Sequence, residues 1–274
     1  MSVRYASINA MDVSYRLEGP QDAPVVMFSN SLAADLSMWD AQVERLSTRF
    51  RVLRYDTRGH GGSSQPTGPF SIEDLAGDAV GLLGHLGIAD VHFVGLSLGG
   101  MIGQVMGARH GGRLRSLVLC ATASEMDPSV WKSRIEQVQR EGVASLAEGT
   151  LERWFTAPFR AGHPDVMAKV DSAIAATSTA GFVGCAGAIR DMNLVPMLGD
   201  ITVPTLIVAG ADDPSTPPAK AQAIHERIAG SRLAVLDHAA HLLNIEQAEA
   251  FGDLLEHFLD DQESHSLAGR KRAG

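Results

Sequence analysis

One short stretch limits what this chain can fold into more than any other: an apolar strand that breaks at a glycine and continues as a helix around a single serine. The apolar run from Val91 ends at Gly95, Ser97 follows, and Gly99 leads into a helical pattern. In such a G-x-S-x-G turn, or elbow, the serine is strained, so its neighbours two residues away must lack side chains. Ser97 would lie at a helix amino end, where free N–H groups stabilise a developing oxyanion. The stretch predicts a nucleophilic serine; the plainer alternative is a glycine-rich turn without chemistry.

The composition limits the partners and the compartment. With 274 residues, 45% hydrophobic and 20% charged, the chain suits one sizeable α/β domain, or a domain with an insertion. A formal net charge of -9 argues against nucleic acids and anionic membranes as partners. Cys120 and Cys185 match no metal spacing, the amino terminus lacks an apolar signal core, and no segment approaches the length of a membrane span. We therefore expect a cytoplasmic protein; a homo-oligomer is an open alternative.

Apolar runs alternate with helical patterns in two parts of the chain, and the region between them is helical only. Alternation at short intervals predicts a mostly parallel, eight-stranded sheet with helices on both faces, and a helical cap inserted after the sixth strand. The expected units are the first part of the core (1–122), the cap (123–198), the second part of the core (199–260) and a disordered tail (261–274). The predicted strands are 3–8, 13–17, 25–28, 52–55, 91–94, 114–119, 205–209 and 233–236, and the predicted cap helices are 130–140, 143–155, 164–176 and 179–192.

A serine nucleophile requires a base that takes its proton and an acid that holds the base in the correct tautomer. Where a G-x-S-x-G elbow carries this chemistry, the acid and the base follow the serine at the carboxyl ends of later strands. Asp212 and Asp213 follow the seventh predicted strand, and we favour Asp213 because the turn has rounded the strand end there. His238 and His241 follow the eighth, and we favour His241 because it begins the final helical pattern.

Two backbone N–H groups are needed to stabilise the oxyanion. One should belong to Leu98, the residue after the serine. The other should come from the loop after the third predicted strand, where Leu32 is the expected donor and Asn30 is expected to order the loop through its amide. We interpret Arg58, in the turn after the fourth strand, as a structural arginine that pairs with an acid near the sheet edge.

We expect no cofactor and no metal ion. The chain lacks the paired histidine and carboxylate spacing of zinc sites. The glycine-rich turn around Ser97 lacks the G-x-G-x-x-G register of a dinucleotide loop, so we reject a nicotinamide cofactor. Enzymes that open epoxides or remove halides from the same kind of elbow carry an aspartate there, and Ser97 excludes that covalent chemistry.

Motifs spread over nearly the whole chain carry a resemblance to a known family. They are Asn30-Ser31-Leu32, Asp56-Thr57-Arg58-Gly59-His60-Gly61, Gly95-Leu96-Ser97-Leu98-Gly99-Gly100, Arg153-Trp154-Phe155-Thr156, Asp213-Pro214 and Ala239-Ala240-His241-Leu242. With them the chain resembles the α/β-hydrolase superfamily and, within it, the 3-oxoadipate enol-lactonases (β-ketoadipate enol-lactone hydrolases). The Asn30 loop and the Trp154 segment point to the lactonase branch. The chain departs from the family pattern at Ala33, where a glycine is common, and at Asp212, where a histidine is expected.

The resemblance implies an α/β-hydrolase fold and a serine hydrolase of the β-ketoadipate pathway of aromatic catabolism. Such an enzyme opens the lactone ring of 3-oxoadipate enol-lactone to 3-oxoadipate through an acyl-enzyme, with Ser97, Asp213 and His241 as the catalytic residues. This small anionic substrate carries a carboxylate, which suits the fork geometry of arginine. The candidate substrate-binding residues, all in the cap, are Trp154, Arg134, Arg153 and Arg190.

Two other functions are compatible with the same residues. A general carboxylesterase would use the same triad under a permissive cap and would hydrolyse neutral esters without preference for an anionic lactone. A ligand-sensing receptor of this fold would keep the triad, turn over slowly and signal through a partner that docks on the cap. Single-turnover behaviour with bound product would favour the receptor.

Overall fold

The sheet has eight strands, and most neighbouring pairs are parallel. The computed structural model describes residues 2–273, with side chains up to residue 264. Strand order is β1-β2-β4-β3-β5-β6-β7-β8, antiparallel at β1–β2 and β2–β4 and parallel at every other pair. This confirms the predicted sheet. The strands are β1 (Arg4–Ile8), β2 (Met11–Glu18), β3 (Val25–Ser29), β4 (Arg51–Tyr55), β5 (Val91–Leu96), β6 (Leu114–Cys120), β7 (Thr205–Gly210) and β8 (Arg232–Leu236).

The central strands are continuous apolar runs because both of their faces are covered. Every residue of β3, β5 and β7 is buried, whereas the edge strands β1 and β8 also carry exposed positions. The helices of the core are α1 (Asp40–Leu46), α2 (Ile72–His85), α3 (Leu98–Arg109), α9 (Pro218–His225), α10 (Leu243–Glu246) and α11 (Ala248–Ala273). Helix α2 packs against α3 and α1 packs against α11, and both pairs contact the sheet. Helix α2 begins at a capping box formed by Ser71 and Asp74.

The region between β6 and β7 is helical, as predicted, and forms the cap. Its helices are α4 (Pro128–Glu141), α5 (Ala147–Trp154), α6 (Ala157–Gly162), α7 (Pro164–Ala176) and α8 (Thr179–Asp191). Helix α4 packs along α8, and α5 packs on α7. The boundaries predicted for the cap, at residues 123 and 198, stay predictions.

The predicted disordered tail is corrected by the structure. Helix α11 continues past the predicted start of the tail at residue 261 and ends at Ala273. Asp261 binds Arg232 at 2.8 Å, and Glu263 binds Arg115 at 3.0 Å. The prediction failed because polarity alone does not indicate disorder, since a surface helix is also polar on its outer face. No glycine or proline interrupts this segment before Gly269. Residue 274 lies outside the described residues.

Within the described part of the chain, one bent pair of helices has the length and apolar composition of a membrane span. No single described helix has both properties. Helices α7 and α8, which are bent by 91° relative to each other, have them only when taken together.

Candidate active site

The turn around Ser97 has the strained geometry that the elbow motif predicts. Ser97 lies between β5 and α3 with φ 56° and ψ -111°, a positive-φ conformation that costs a residue with a side chain about 1–3 kcal/mol. A Cβ on Gly95 would lie 2.0 Å from the carbonyl oxygen of Gly99, and one on Gly99 would lie 2.1 Å from that of Ser29. Close backbone contacts therefore require both glycines. Thr122 Oγ1 donates a hydrogen bond of 2.8 Å to the Ser97 carbonyl oxygen and holds the turn.

The loop expected to supply the second oxyanion donor is attached to this turn. The carbonyl oxygen of Asn30 accepts a hydrogen bond of 2.9 Å from the Gly99 N–H. The Asn30 amide donates to the Tyr55 carbonyl oxygen, also at 2.9 Å, so Asn30 orders the loop as expected. Within residues 2–264, the N–H groups of Leu32 and Leu98 have no hydrogen-bond partner. Both groups are therefore available to an oxyanion.

A residue that the sequence analysis left without a role supports the same loop. His60 is buried, its Nδ1 donates to the Arg58 carbonyl oxygen at 2.8 Å, and its Nε2 accepts the Ala33 N–H at 3.0 Å. This pair of bonds requires the neutral ring, and burial lowers the pKa of His60 to about 4. Ala33 has φ 61°, in the left-handed region that favours glycine. Arg58 pairs with Asp78 at 2.8 Å, which confirms its structural interpretation.

Asp213 and His241 form a buried acid–base pair. The Nδ1 atom of His241 lies 2.7 Å from Asp213 Oδ2, and both side chains are almost fully buried. The carboxylate also accepts the N–H groups of Ser215 at 2.7 Å and Thr216 at 3.1 Å, and the Thr216 hydroxyl at 2.6 Å. Burial by itself would raise the pKa of Asp213, but the imidazole and these donors hold it below its ordinary value. The ionised acid therefore fixes the tautomer that leaves His241 Nε2 unprotonated.

The two neighbours that competed for these roles are placed elsewhere. Asp212 and His238 are both exposed. The Asp212 N–H closes the turn by donating to the Ala239 carbonyl oxygen at 2.9 Å, and His238 has φ 54°. Of the two candidate pairs, the structure joins Asp213 to His241.

Ser97 and His241 line one cavity of about 340 Å³ between the core and the cap. The ring of Trp154 stacks on the imidazole of His241, with centroids 6.3 Å apart and planes inclined by 28°. The cavity thus brings together the proposed nucleophile, base and oxyanion loop beneath a cap aromatic. Its other lining residues include Leu32, Trp131, Phe182, Thr216 and Lys220.

Two of the three predicted cap arginines lie in this cavity. The Arg134 guanidinium lies 4.9 Å from the centre of the Trp131 ring, and Arg153 donates to the Thr150 hydroxyl at 3.1 Å. Among the described side chains, neither arginine forms an ion pair. Burial lowers the pKa of both, and the charge of Arg153 contributes to lowering that of Arg134 to about 10. Two partly buried arginines without an ion pair are chemically suited to an anion. Lys220, which the sequence analysis did not select, adds a third cation to the lining.

The prediction that Arg190 binds substrate is corrected. Arg190 is outside the lining of the cavity, is 37% exposed and pairs with Asp191 at 2.6 Å. The physical reason is helical phase: the adjacent residue Ile189 is buried, and the next position on a helix points about 100° away from it.

Metal ligation finds no support in the described side chains. No group of three or more histidine, cysteine, aspartate or glutamate residues among them could hold a metal ion.

Comparisons with known proteins identify the family of this chain. The model of the alpha/beta hydrolase fold family matches residues 24–248. The chain is 36% identical to 3-oxoadipate enol-lactonase 2 of Acinetobacter baylyi, over 91% of this chain and 94% of that protein. The crystal structure of the enol-lactonase from Burkholderia xenovorans LB400 superposes with a TM-score of 0.92 at 42% identity, covering 94% of this chain and 100% of that one. A malate-bound thermophilic esterase from Thermogutta terrifontis superposes at 0.89 with 27% identity, covering 96% and 99%.

These matches extend over nearly the whole chain, cap included. The family model alone covers well over half of the chain. The chain therefore belongs to the α/β-hydrolase family and its enol-lactonase branch, and it is an ester or lactone hydrolase.

Proposed function

We propose that this enzyme opens the lactone ring of 3-oxoadipate enol-lactone, giving 3-oxoadipate through an acyl-enzyme on Ser97. One observation carries the proposal: the cavity at Ser97 and His241 also contains Arg134 and Arg153, neither of which pairs with an acid in the described part of the chain. Ser97 and His241 suit acyl transfer, and the two arginines suit a substrate that carries its own carboxylate. The enol-lactonase relatives support the same reading.

The chemistry follows from the roles we assign. The Ser97 hydroxyl attacks the lactone carbonyl carbon while His241 Nε2 takes its proton, and the N–H groups of Leu32 and Leu98 stabilise the oxyanion. The ring C–O bond then breaks, and the enol oxygen leaves with the proton from His241. The enol tautomerises to the ketone. Water, deprotonated by His241, attacks the acyl carbon and releases the acid and the Ser97 hydroxyl.

The cationic part of the cavity is proposed to bind the substrate carboxylate. An arginine fork on a carboxylate forms a charge-assisted hydrogen bond worth about 1.5–3 kcal/mol. The malate bound to the related esterase is a small carboxylate of the same chemical class. Trp154, stacked on His241, would then pack against the lactone ring and limit its position.

A general carboxylesterase is the second candidate, supported by the likeness to the thermophilic esterase. The two functions differ in what the arginines contribute. A lactonase should prefer an anionic lactone to a neutral ester of similar size, whereas a carboxylesterase should show no such preference.

The decisive experiment compares kcat/KM for 3-oxoadipate enol-lactone and for a neutral short-chain ester, with Ser97→Ala as the control. The proposed function predicts a strong preference for the lactone and a loss of at least about 10³-fold in Ser97→Ala. Equal or higher rates on the neutral ester would support the carboxylesterase instead. A loss of less than about a hundredfold in Ser97→Ala would contradict the covalent mechanism.

A further inference from the structure

Glu246 is a buried carboxylate whose two oxygen atoms bind two different parts of the protein. It lies in α10 and is 8% exposed. Its Oε1 accepts the N–H of Thr156 at 2.9 Å and also the Thr156 hydroxyl. Its Oε2 accepts the N–H of Ala240 at 2.8 Å. Among the described side chains Glu246 pairs with no cation, so these donors compensate for the cost of burying its charge.

The two parts that Glu246 joins are the cap and the loop of the proposed base. Thr156 is the N-cap of α6, in the cap segment 154–156, and Ala240 immediately precedes His241. A second hydrogen bond crosses the same boundary: the N–H of Leu242 donates to the Trp154 carbonyl oxygen at 3.0 Å. The residues on both sides of His241 are therefore tied to one cap segment, one of them directly and the other through Glu246.

This arrangement bears on the orientation of the imidazole. A catalytic base must be held within about 0.5 Å of its productive position, and a misplacement of about 1 Å can cost a hundredfold in rate. Asp213 fixes one ring nitrogen of His241, but the position of the ring also depends on the backbone that carries it. That backbone is held by hydrogen bonds at residues 240 and 242, and both of these lead to the segment that also places Trp154 on the ring.

We propose that Glu246 is a positioning residue that couples the cap to the catalytic histidine, so that the seating of segment 154–156 sets the orientation of His241. The inference rests on the proposed role of His241 as the base, but it holds for any substrate. Through this coupling the cap does more than bind substrate: when the segment is displaced, the His241 loop loses the support that aligns the base.

Two variants remove the coupling to different extents. Glu246→Gln keeps the size of the side chain, but its NH₂ group must face the N–H of either Thr156 or Ala240. Two donors cannot bond to each other, so at least one of these two hydrogen bonds is lost. Thr156→Val removes the hydroxyl, which also caps α6 by accepting the Phe159 N–H at 3.4 Å, and keeps the Glu246 carboxylate and its bond to Ala240. Arg160→Ala is the matched control: Arg160 donates to the carbonyl oxygens of Glu152 and Phe155, entirely within the cap, and has no bond to the His241 loop.

The readout must separate alignment of the base from binding of the substrate. Methanesulfonyl fluoride reacts with an activated serine and is too small to need the cap. We expect Glu246→Gln to slow both ester hydrolysis and inactivation by this reagent by about 10- to 100-fold, Thr156→Val to slow both by about two- to tenfold, and Arg160→Ala to change neither by more than about twofold. Thermal unfolding establishes that each variant is folded, and Thr156→Val carries the test if Glu246→Gln is not.

The outcomes distinguish the two proposals. Normal inactivation rates in folded Glu246→Gln and Thr156→Val, with only KM for the lactone raised, would overturn the coupling and leave Glu246 as a support of the binding cavity. If Ser97→Ala kept its activity, the proposed function itself would fail. If Ser97→Ala is inactive while the Glu246 and Thr156 variants react like the parent enzyme, only the coupling is refuted.

Discussion

Arg134 and Arg153 line the same cavity, and the positive charge of Arg153 disfavours the charged form of Arg134. Together with burial, this repulsion lowers the pKa of Arg134 to about 10. Two cations in a site that water shields poorly are stabilised by an anion that lies between them. The cavity is therefore suited to a substrate that brings a negative charge with it.

Replacing either arginine should weaken binding of the anionic substrate selectively. We expect Arg134→Ala and Arg153→Ala each to raise KM for the enol-lactone by about tenfold or more, since each loses a charge-assisted hydrogen bond. KM for a neutral ester should change by less than about threefold. Arg190→Ala is the matched control, because Arg190 lies outside the cavity lining and pairs with Asp191. Steady-state kinetics on both substrates provide the measurement. Equal effects on the two substrates would argue against a carboxylate site.

Two adjacent residues, Asp213 and Asp212, allow a test of which aspartate is the catalytic acid. Asp213→Asn should lower kcat by about 10⁴-fold, because an amide no longer holds the His241 tautomer that accepts the serine proton. Asp212→Asn should leave kcat within about twofold, since that side chain is exposed. Both variants keep the shape of the side chain, so circular dichroism and kcat are compared directly. Loss of activity in Asp212→Asn alone would reverse the assignment.

His60 should make the folded state sensitive to mild acid. Its pKa is about 4 in the folded protein against an ordinary value of 6.5, so the unfolded chain binds more protons between these values. Its contribution to stability is therefore complete above about pH 6.5 and is lost as the pH falls towards 4, with a slope of at most about 1.4 kcal/mol per pH unit. His60→Gln, which keeps an acceptor for the Ala33 N–H, should remove this part of the slope. Urea unfolding at several pH values gives the comparison, with the exposed His85→Gln as control. An unchanged slope in His60→Gln would exclude the effect.

Glycines that look alike in the sequence should respond in opposite ways to alanine. In Gly99→Ala the new Cβ would lie 2.1 Å from the Ser29 carbonyl oxygen, so we expect a loss of more than about 2 kcal/mol and of most activity. Gly77 in α2 and Gly187 in α8 have open space where a methyl group would lie, with no neighbouring atom within 4 Å of it. Alanine there should stabilise the protein by about 0.5–1 kcal/mol each, because a helix interior disfavours glycine. Denaturant midpoints would decide; a stable, active Gly99→Ala would refute the account of the elbow.

The parts of the site that follow strand ends could be predicted from the sequence. Apolar runs mark buried strands, and in a parallel sheet their carboxyl ends meet at one edge, which is why Ser97 and the segments of Asp213 and His241 could be identified. Features that depend on a distant partner could not be predicted. Nothing near His60 in the chain indicates its bond to Ala33, and Glu246 meets Thr156 across 90 positions.

Helical phase and polarity account for the two predictions that failed. The sequence indicates only that Arg190 lies in the cap, whereas the side of α8 that it occupies depends on which neighbouring residues are buried. Polarity alone predicts disorder after residue 260, yet Asp261 and Glu263 bind Arg232 and Arg115 on the core. In both cases the missing information was the packing of one helix against the rest of the protein.

The place of the cap in the chain has a consequence for how the enzyme acquires activity during its synthesis. The cap separates β6 from β7, its neighbour in the sheet, so Ser97 leaves the ribosome long before Asp213 and His241. Pairing of β7 with β6 closes a loop that contains the whole cap, so we expect this contact to form late. If Ser97 acts through Asp213 and His241 as proposed, a growing chain should stay unreactive towards esters until the last strands dock. The first appearance of hydrolysis during refolding should then mark completion of the sheet.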